Sequence, residues 1–221
     1  MLTVGLTGNI GCGKSTVAAL LVAHGAALVD ADQVAREVVE PGTPAHQALV
    51  DHFGPDILDA DGRIDRAALA ARAFGDPEQL AALNAILHPA IGVAMIEGKE
   101  AHRGTGRIVV MDIPLLKDVH RETLALDAVV VVDLPPELAL ERLTTLRGMD
   151  ADDARARQAA QPSREERRQG ADLVIDNSGD EAHLAAEVDR VWAALEAMPQ
   201  QPDPAGPTGA GAPSAGEPAA R

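Results

Sequence analysis

Five short apolar runs alternate with longer stretches of helical character along this chain. The runs are nearly continuous in aliphatic residues and lie at positions 2–6, 26–29, 108–111, 129–132 and 173–175. Apolar strands separated by helices are typical of a parallel sheet that helices cover on both faces. The pattern therefore predicts an α/β fold with a five-stranded parallel sheet flanked by helices.

Acidic residues stand at the carboxyl ends of four of these runs: Asp30 and Asp32, Asp112, Asp133, and Asp176. In open parallel sheets, ligands bind beyond the carboxyl ends of the strands. We therefore expect the substrate among these acids. The stretch between the second and third runs is much longer than one crossover helix needs, which indicates an inserted subdomain.

The first run leads into a glycine-rich loop and then into a predicted helix at positions 15–23. Residues 8–15 read Gly-Asn-Ile-Gly-Cys-Gly-Lys-Ser, which matches G-x-x-x-x-G-K-[ST]. Such a loop turns its backbone N–H groups toward a phosphate, while the lysine adds charge and the serine hydroxyl binds Mg²⁺. The residues predicted to bind ATP are Gly11, Cys12, Gly13, Lys14, Ser15 and Thr16, with Lys14 also catalytic and Ser15 also a metal ligand.

Other phosphate-binding classes fit the sequence less well. A dinucleotide fold would explain Asp30, about 20 residues past the loop, but it requires G-x-G-x-x-G and the glycines here follow G-x-x-G-x-G. A GTP switch requires Asn-Lys-x-Asp, which is absent from the sequence. A mechanical ATPase usually takes an arginine finger from elsewhere, whereas this chain has an arginine-rich segment of its own. The sequence thus indicates an ATP-dependent small-molecule kinase.

The arginine-rich segment stands out in an acidic chain. The whole sequence has a net charge of −15, yet residues 142–168 hold seven Arg against five acids. Guanidinium groups on a lid are suited to neutralise charge on a phosphoryl group in transfer. Arg142, Arg147, Arg155 and Arg157 are the candidate lid arginines; we predict Arg142 and Arg147 as catalytic residues and rank them above Arg157, and a solvated charged helix is the alternative.

Composition excludes several further classes. An acidic chain with two Phe, one Trp and no Tyr lacks the basic and aromatic surfaces that bind nucleic acid. One cysteine forms no internal disulfide, and we recognise neither a targeting segment nor an apolar run of membrane length, so we expect a cytoplasmic protein without membrane contact. Residues 199–221, with six Pro and four Gly, are expected to form a disordered tail.

Motifs along about residues 1–195 resemble those of the dephospho-coenzyme A kinases. The most specific are Asp-Ala-Asp at 30–32, after the second predicted strand, and Asp-Ile-Pro-Leu-Leu at 112–116, after the third. Further matching segments lie at 6–16, 29–39, 41–42, 57–62, 87–89 and 176–179.

This resemblance implies transfer of the γ-phosphoryl group of ATP to the ribose 3′-hydroxyl of dephospho-coenzyme A, the final step of coenzyme A biosynthesis. It also implies Mg²⁺ as cofactor, ATP and dephospho-coenzyme A as partners, and a P-loop NTPase core with a helical insert and a lid. We expect a monomer. The predicted ranges are 1–32, 89–140 and 169–198 for the nucleotide-binding core, 33–88 for the substrate-binding insert and 141–168 for the lid.

The resemblance assigns Asp32 the role of orienting the attacking hydroxyl and accepting its proton late in the reaction. A carboxylate is too weak a base to ionise a ribose hydroxyl beforehand, which suits a loose transition state. Capping the following helix is the alternative role of Asp32. Two roles remain possible for Asp30: it binds Mg²⁺ directly, or it supports a residue that does. A shikimate-type kinase and a nucleotide-dependent binding switch remain alternative functions.

Three further side chains are predicted to bind the acceptor, each with a structural alternative. Arg36 reaches a substrate phosphate or pairs with Glu40, and Asp112 lies near the substrate or is a turn acid. His88 contacts substrate or is a structural histidine that ends a helix. Cys12 is a passive loop residue unless the helix N-terminus lowers its pKa. The departures from the family pattern are Lys117, Asp118 and, in the lid helix, Gln158.

Overall fold

The computed structural model describes residues 1–199, which are built around one parallel sheet. Its strand order is β2-β3-β1-β4-β5, and every neighbouring pair is parallel. The predicted fold class is confirmed. Apart from Pro199, the predicted tail lies outside the described residues. The strands are β1 (Thr3–Gly8), β2 (Ala27–Asp30), β3 (Val109–Asp112), β4 (Ala128–Asp133) and β5 (Leu173–Asp176).

Helices cover both faces of this sheet, as the apolar strands require. All six residues of β4 are buried, because the strand is aliphatic on both faces and carries no polar residue before its last. Within residues 1–199 the helices are α1 (Lys14–Ala23), α2 (Ala31–Glu37), α3 (Pro44–Phe53), α4 (Arg66–Ala73), α5 (Pro77–Glu100), α6 (Asp118–Thr123), α7 (Pro136–Thr145), α8 (Ala151–Ala159), α9 (Arg164–Gln169) and α10 (Glu181–Glu196), with a 3-10 turn at Pro55–Ile57.

The strand acids form the last positions of their strands and meet at one edge of the sheet. Parallel register places Asp30 beside Asp112, and Asp133 beside Asp176. Strand β1 lies between β3 and β4, so the strand order reverses where β1 ends in the glycine-rich loop. A crevice at such a reversal is where ligands bind in open α/β sheets.

The segment between β2 and β3 has a hydrophobic cluster separate from the two that cover the sheet. Leu49, Phe53 and Ile57 are almost fully buried there, together with Leu69 and Leu83. Helices α3, α4 and α5 supply most of this cluster. Its separate core agrees with an inserted subdomain, although its predicted limit at residues 88 and 89 falls inside α5.

Helix α5 corrects two expectations. It continues through Pro89, so His88 lies inside a helix and does not end one. By length and apolar composition it could also cross a membrane, contrary to the expectation that no segment is long enough. Only 11% of its most apolar window is buried, but Leu83 and Met95 are buried in two different clusters, and α5 contacts α2, α3, α4, β2 and β3. These contacts make α5 the link between the insert and the sheet.

The end of α1 is joined to α10 by one aromatic contact. The His24 ring stacks on Trp192 with ring centroids 5.3 Å apart. Its Nε2 lies 2.9 Å from a carboxylate oxygen of Asp189 on the same helix. The helix that begins at the glycine-rich loop is therefore held at its far end by α10.

Candidate active site

The glycine-rich loop at residues 8–15 curls tightly between β1 and α1. Gly11 and Gly13 have φ angles of +80° and +86°, in the left-handed region that strains residues with a Cβ. A Cβ at Gly13 would also clash with the side-chain amide of Asn177. Glycine is therefore required at position 13 for both its backbone and its neighbour.

The backbone amides of this loop are used in two ways. The N–H of Ile10 donates to Oε1 of Gln161 (3.0 Å). Unpaired amides at a glycine-rich loop before a helix form a binding site for phosphate oxygens. Within residues 1–199, the amides of Gly11, Gly13 and Ser15 donate to no group.

Lys14 forms an ion pair with Asp112 at the end of β3. Both side chains are largely withdrawn from solvent, with exposed fractions of 19% and 8%. Burial raises the pKa of Asp112, an effect that Lys14 opposes and that the charges of Asp30 and Asp32 reinforce. The parallel register places Asp30 beside Asp112, and Asp32 lines the same cavity as Lys14.

Asp30 caps α2, and Asp32 does not. The Asp30 carboxylate accepts hydrogen bonds from the backbone N–H groups of Asp32 (2.8 Å) and Gln33 (3.2 Å). The alternative in which Asp32 caps the helix is therefore wrong. Asp32 lies in the first turn of α2, where its exposed carboxylate is free to face a ligand.

Two cavities meet at the glycine-rich loop. The P-loop cavity has a volume of about 310 Å³ and is lined by residues 8–15 with Asp32, Pro114, Arg147 and Gln161. The outer cavity, of about 420 Å³, shares Gly11, Gly13, Ser15 and Arg147 with it. The remaining lining of the outer cavity is Thr16, Arg142, Leu146, Asn177, Gly179, Asp180, Glu181 and Leu184.

A third cavity opens in the inserted segment. This insert cavity has a volume of about 520 Å³ and is mainly apolar, with Arg36 and Arg66 among its lining residues. Asp32 lines both the insert cavity and the P-loop cavity. One exposed carboxylate therefore stands where a donor bound on the loop and an acceptor bound on the insert would meet.

The arginines at 142–157 fall into two groups by their contacts. Arg142 donates to the main-chain oxygen of Asn177 (2.9 Å) and lines the outer cavity. Arg147 is exposed, lines both cavities at the loop and has no ion-pair partner within residues 1–199. Arg155 and Arg157 pair instead with acids of their own helix, Asp152 and Asp153.

Helix α9 is anchored to the sheet by Asp133 at the end of β4. Its carboxylate is 3% exposed and accepts hydrogen bonds from Arg164 (2.7 Å at the shortest) and Arg168 of α9. Burial by itself would raise the pKa of Asp133, but the two guanidinium groups outweigh it and hold the pKa below its ordinary value. An ionised, doubly paired carboxylate therefore fixes α9 against the end of β4.

Asn177 joins three parts of the site. Its side-chain amide donates to the carbonyl oxygen of Cys12 (2.7 Å), and its own N–H donates to the carbonyl of Asp133 (3.0 Å). Its carbonyl accepts from Arg142. In the sequence, Asn177 belongs to a family motif but has no assigned role, Asp133 is expected only as one of the strand-end acids, and Gln161 has no predicted role. The signal for Asn177 was its place directly after a strand-end acid.

Three other predicted residues lie at the margins of the site. Arg36 lines the insert cavity one turn after Asp32 and forms no ion pair with Glu40. His88 is exposed on α5 and lines neither the P-loop cavity nor the insert cavity. Burial raises the pKa of Cys12 to about 11, so the lowered thiol pKa considered from sequence is wrong.

The departure at Gln158 has a structural role. Its side-chain amide donates to the carbonyl of Pro136 (3.0 Å), which ties the end of α8 to the start of α7. Gln158 thus contributes a hydrogen bond between these two helices.

No group of three or more His, Cys, Asp or Glu side chains within residues 1–199 is arranged to hold a metal ion. Mg²⁺ at kinase sites keeps several waters and is held through substrate phosphates with one or two protein ligands. The exposed Ser15 hydroxyl beside the free loop amides fits this kind of site.

Comparison with known proteins gives a consistent result. The family model described as Dephospho-CoA kinase matches residues 2–183. The chain is 50% identical to the Dephospho-CoA kinase of Streptomyces avermitilis over 202 residues, which are 91% of this chain and 98% of that protein. It is 51% identical to that of Thermobifida fusca over 200 residues, covering 89% and 97%. A solved structure, Dephospho-CoA kinase from Campylobacter jejuni, superposes with a TM-score of 0.68 at 25% identity, covering 87% of this chain and 96% of that one.

Proposed function

The chain belongs to the dephospho-CoA kinase family, and we propose that it transfers the γ-phosphoryl group of ATP to the ribose 3′-hydroxyl of dephospho-CoA. The products are CoA and ADP, so the reaction completes CoA biosynthesis. The observation that carries this proposal is the position of Asp32, which lines both the P-loop cavity and the insert cavity.

In this proposal the phosphates of ATP bind in the P-loop cavity. The free amides of Gly11, Gly13 and Ser15 donate to phosphate oxygens, and the Cys12 and Thr16 positions complete the loop wall. Lys14 gives up part of its contact with Asp112 and contacts the γ-phosphate. Its positive charge then stabilises the negative charge that develops during the transfer. The nucleoside lies in the outer cavity beside Arg142 and Leu146.

Dephospho-CoA occupies the insert cavity. Arg36 and Arg66 supply charge for its diphosphate, while the apolar walls at Leu69 and Phe74 suit its uncharged pantetheine arm. Asp112, at the end of β3, fixes Lys14 and faces the reacting end of the acceptor. His88, outside this cavity, is the weakest of the predicted contacts.

Asp32 orients the 3′-hydroxyl of the acceptor toward the γ-phosphorus. The oxygen–phosphorus bond to the acceptor forms as the bond to the β–γ bridging oxygen of ADP breaks, and the hydroxyl proton passes to Asp32 late in the transfer. Arg147 meets the equatorial phosphoryl oxygens from the opposite side of the cavity, so charge is balanced without a strong base.

We propose Mg²⁺ as the cofactor, with Ser15 as its ligand beside the phosphates and Asp30 or Asp112 in support. When bound, Mg²⁺ would neutralise negative charge on the phosphates. The proposal also keeps residues 1–32, 89–140 and 169–198 as the core, 33–88 as the insert and 141–168 as the lid. It also includes a cytoplasmic location, supported by the buried, unpaired thiol of Cys12 and by ATP as co-substrate, and a monomeric state.

The function is tested by measuring ADP release with Mg²⁺, ATP and a panel of acceptors. Dephospho-CoA should support turnover, while shikimate and adenosine monophosphate should give the background rate, and mass spectrometry should place the new phosphate on the ribose 3′-oxygen. Purified Lys14→Ala protein controls for contaminating kinases. ADP release with shikimate but not with dephospho-CoA would overturn the substrate, and ATP binding without ADP release for any acceptor would support a binding switch.

A further inference from the structure

Gln161 connects the lid segment to the glycine-rich loop. Its Oε1 accepts the hydrogen bond from Ile10 N–H at 3.0 Å across 151 positions of sequence. Within residues 1–199, no other hydrogen bond joins residues 141–168 to residues 8–15. The contact is therefore the direct polar link between these two segments.

The backbone around Gln161 is held on both sides. Its N–H donates to the carbonyl of Gln158 at the end of α8 (3.1 Å). The following Pro162 restricts its backbone to extended conformations. Ser163 then begins α9 through a reciprocal pair of hydrogen bonds with Glu166.

Helix α9 is in turn fixed to the sheet through Asp133, which is 3% exposed and paired with two of its arginines. The Gln161 side chain is thus presented from a rigid anchor. It does not depend on the loop that carries the exposed Arg147.

Only the oxygen end of the Gln161 side-chain amide has a partner within residues 1–199. A backbone N–H only donates, so the atom that meets Ile10 is the oxygen, and the nitrogen is the other end. That nitrogen has no hydrogen-bond partner within residues 1–199, and Gln161 lines the P-loop cavity together with Lys14 and Asp32. It is a donor available to an anionic ligand in that cavity.

We propose that Gln161 is a positioning residue for phosphoryl transfer. Its oxygen holds Ile10 N–H and thereby keeps the loop in the shape that leaves the amides of Gly11, Gly13 and Ser15 free for phosphate. Its nitrogen faces the phosphates of the bound nucleotide. This inference rests on the proposed function in one respect, since it takes ATP as the nucleotide that binds at the loop.

The test compares two variants of Gln161 with a matched glutamine control. Gln161→Met keeps size but removes both polar ends, and the loss of one backbone hydrogen bond predicts about a tenfold weaker Kd for Mg-ATP, measured by calorimetry without acceptor. The KM for ATP should rise and kcat should fall, while the KM for dephospho-CoA stays unchanged and the melting temperature falls no further than in Gln158→Met, which also loses one hydrogen bond. Gln158→Met, which loses a hydrogen bond to Pro136 but none to the loop, should bind Mg-ATP as the wild type does.

Gln161→Glu separates the two ends of the amide. It keeps an acceptor for Ile10 but places a carboxylate oxygen where the donor was, so its Kd for Mg-ATP should be weaker than the wild-type value and should improve as the pH falls toward the pKa of glutamate. Unchanged ATP binding in Gln161→Met, or an equal loss in Gln158→Met, would overturn the proposal. If Gln161→Glu binds Mg-ATP with the wild-type Kd, and that Kd does not change with pH, the role proposed for the nitrogen is overturned.

The Kd for Mg-ATP is measured without acceptor. The test of Gln161 therefore still gives a result if dephospho-CoA is not the substrate. An enzyme that binds Mg-ATP through Gln161 but does not phosphorylate dephospho-CoA contradicts only the proposed function.

Discussion

The side-chain amide of Asn177 donates to the carbonyl oxygen of Cys12 at 2.7 Å, although the two residues are 165 positions apart. The contact is buried and closes the end of β5 onto the glycine-rich loop. The oxygen it satisfies lies next to Gly13, whose missing Cβ leaves room for the amide.

Replacement of Asn177 should therefore weaken ATP binding in an order set by hydrogen-bond chemistry. Asn177→Ala loses one donor to a buried carbonyl, at a cost of ~1–2 kcal/mol in stability. Asn177→Asp places an acceptor against that carbonyl and should be more destabilising still. Thermal unfolding and Kd for Mg-ATP check the order; a more stable Asn177→Asp than Asn177→Ala would contradict it.

Lys14→Ala should reduce kcat/KM for ATP by more than about 100-fold, because a preorganised charge at the γ-phosphate is lost. It also removes the partner of the buried Asp112, whose pKa should rise further. Steady-state kinetics measure the first effect. Lys117→Ala, an exposed lysine outside the P-loop cavity, is the control and should retain turnover.

Asp32→Asn should lower kcat by about 100-fold or more, the usual contribution of a positioned acid–base group. The Kd for Mg-ATP should stay within about threefold, because the free loop amides and Lys14 remain. Asp61→Asn, an exposed aspartate of a distant turn, serves as the control. Near-normal turnover in Asp32→Asn would remove the carboxylate from the mechanism.

Arg147→Ala should lower kcat about tenfold to 100-fold, since Arg147 has no ion pair to break and faces both cavities at the loop. Arg155→Ala is the matched control, because its guanidinium is already paired with Asp152. Single-turnover phosphoryl transfer distinguishes the two. Equal rates for both variants would show that this stretch is only a solvated charged helix.

Asp133→Asn should lower the free energy of unfolding at neutral pH by ~2 kcal/mol, because two guanidinium groups lose their shared charge. The pKa of Asp133 lies below its ordinary value, so its contribution is present above the unfolded-state pKa and is lost as pH falls through the folded-state value. The difference between variant and wild type should therefore shrink on acidification. Urea unfolding from pH 7 to about pH 2, through the folded-state pKa of Asp133, checks this by circular dichroism, with the exposed Glu165→Gln as control.

The part of the site that sequence predicts is local in the chain. The conformation of residues 8–15 is predictable from their own sequence, because the strand, the glycines, the lysine and the helix follow one another directly. The acids could be assigned to one sheet edge because a parallel sheet aligns its carboxyl ends. Which acid caps α2 was not predictable, because Asp30 and Asp32 are both favourable caps and only the backbone shows where the helix begins.

The contacts that were missed are long-range. Gln161, Asn177 and Asp133 meet their partners across separations of 151, 165 and 31 residues. No periodicity in the sequence encodes such pairings. At His88 a local signal gave a wrong prediction, because the proline that follows it predicts a helix end. Helix α5 instead continues through Pro89 and packs against both the insert and the sheet.

The stacking of His24 on Trp192 gives this protein a built-in optical probe. The sequence contains one tryptophan and no tyrosine, so its near-ultraviolet emission arises from a single indole ring. That ring contacts the far end of the helix whose first turn forms the phosphate site. Fluorescence of the unlabelled protein therefore reports the junction of α1 and α10 alone, without a background from other fluorophores.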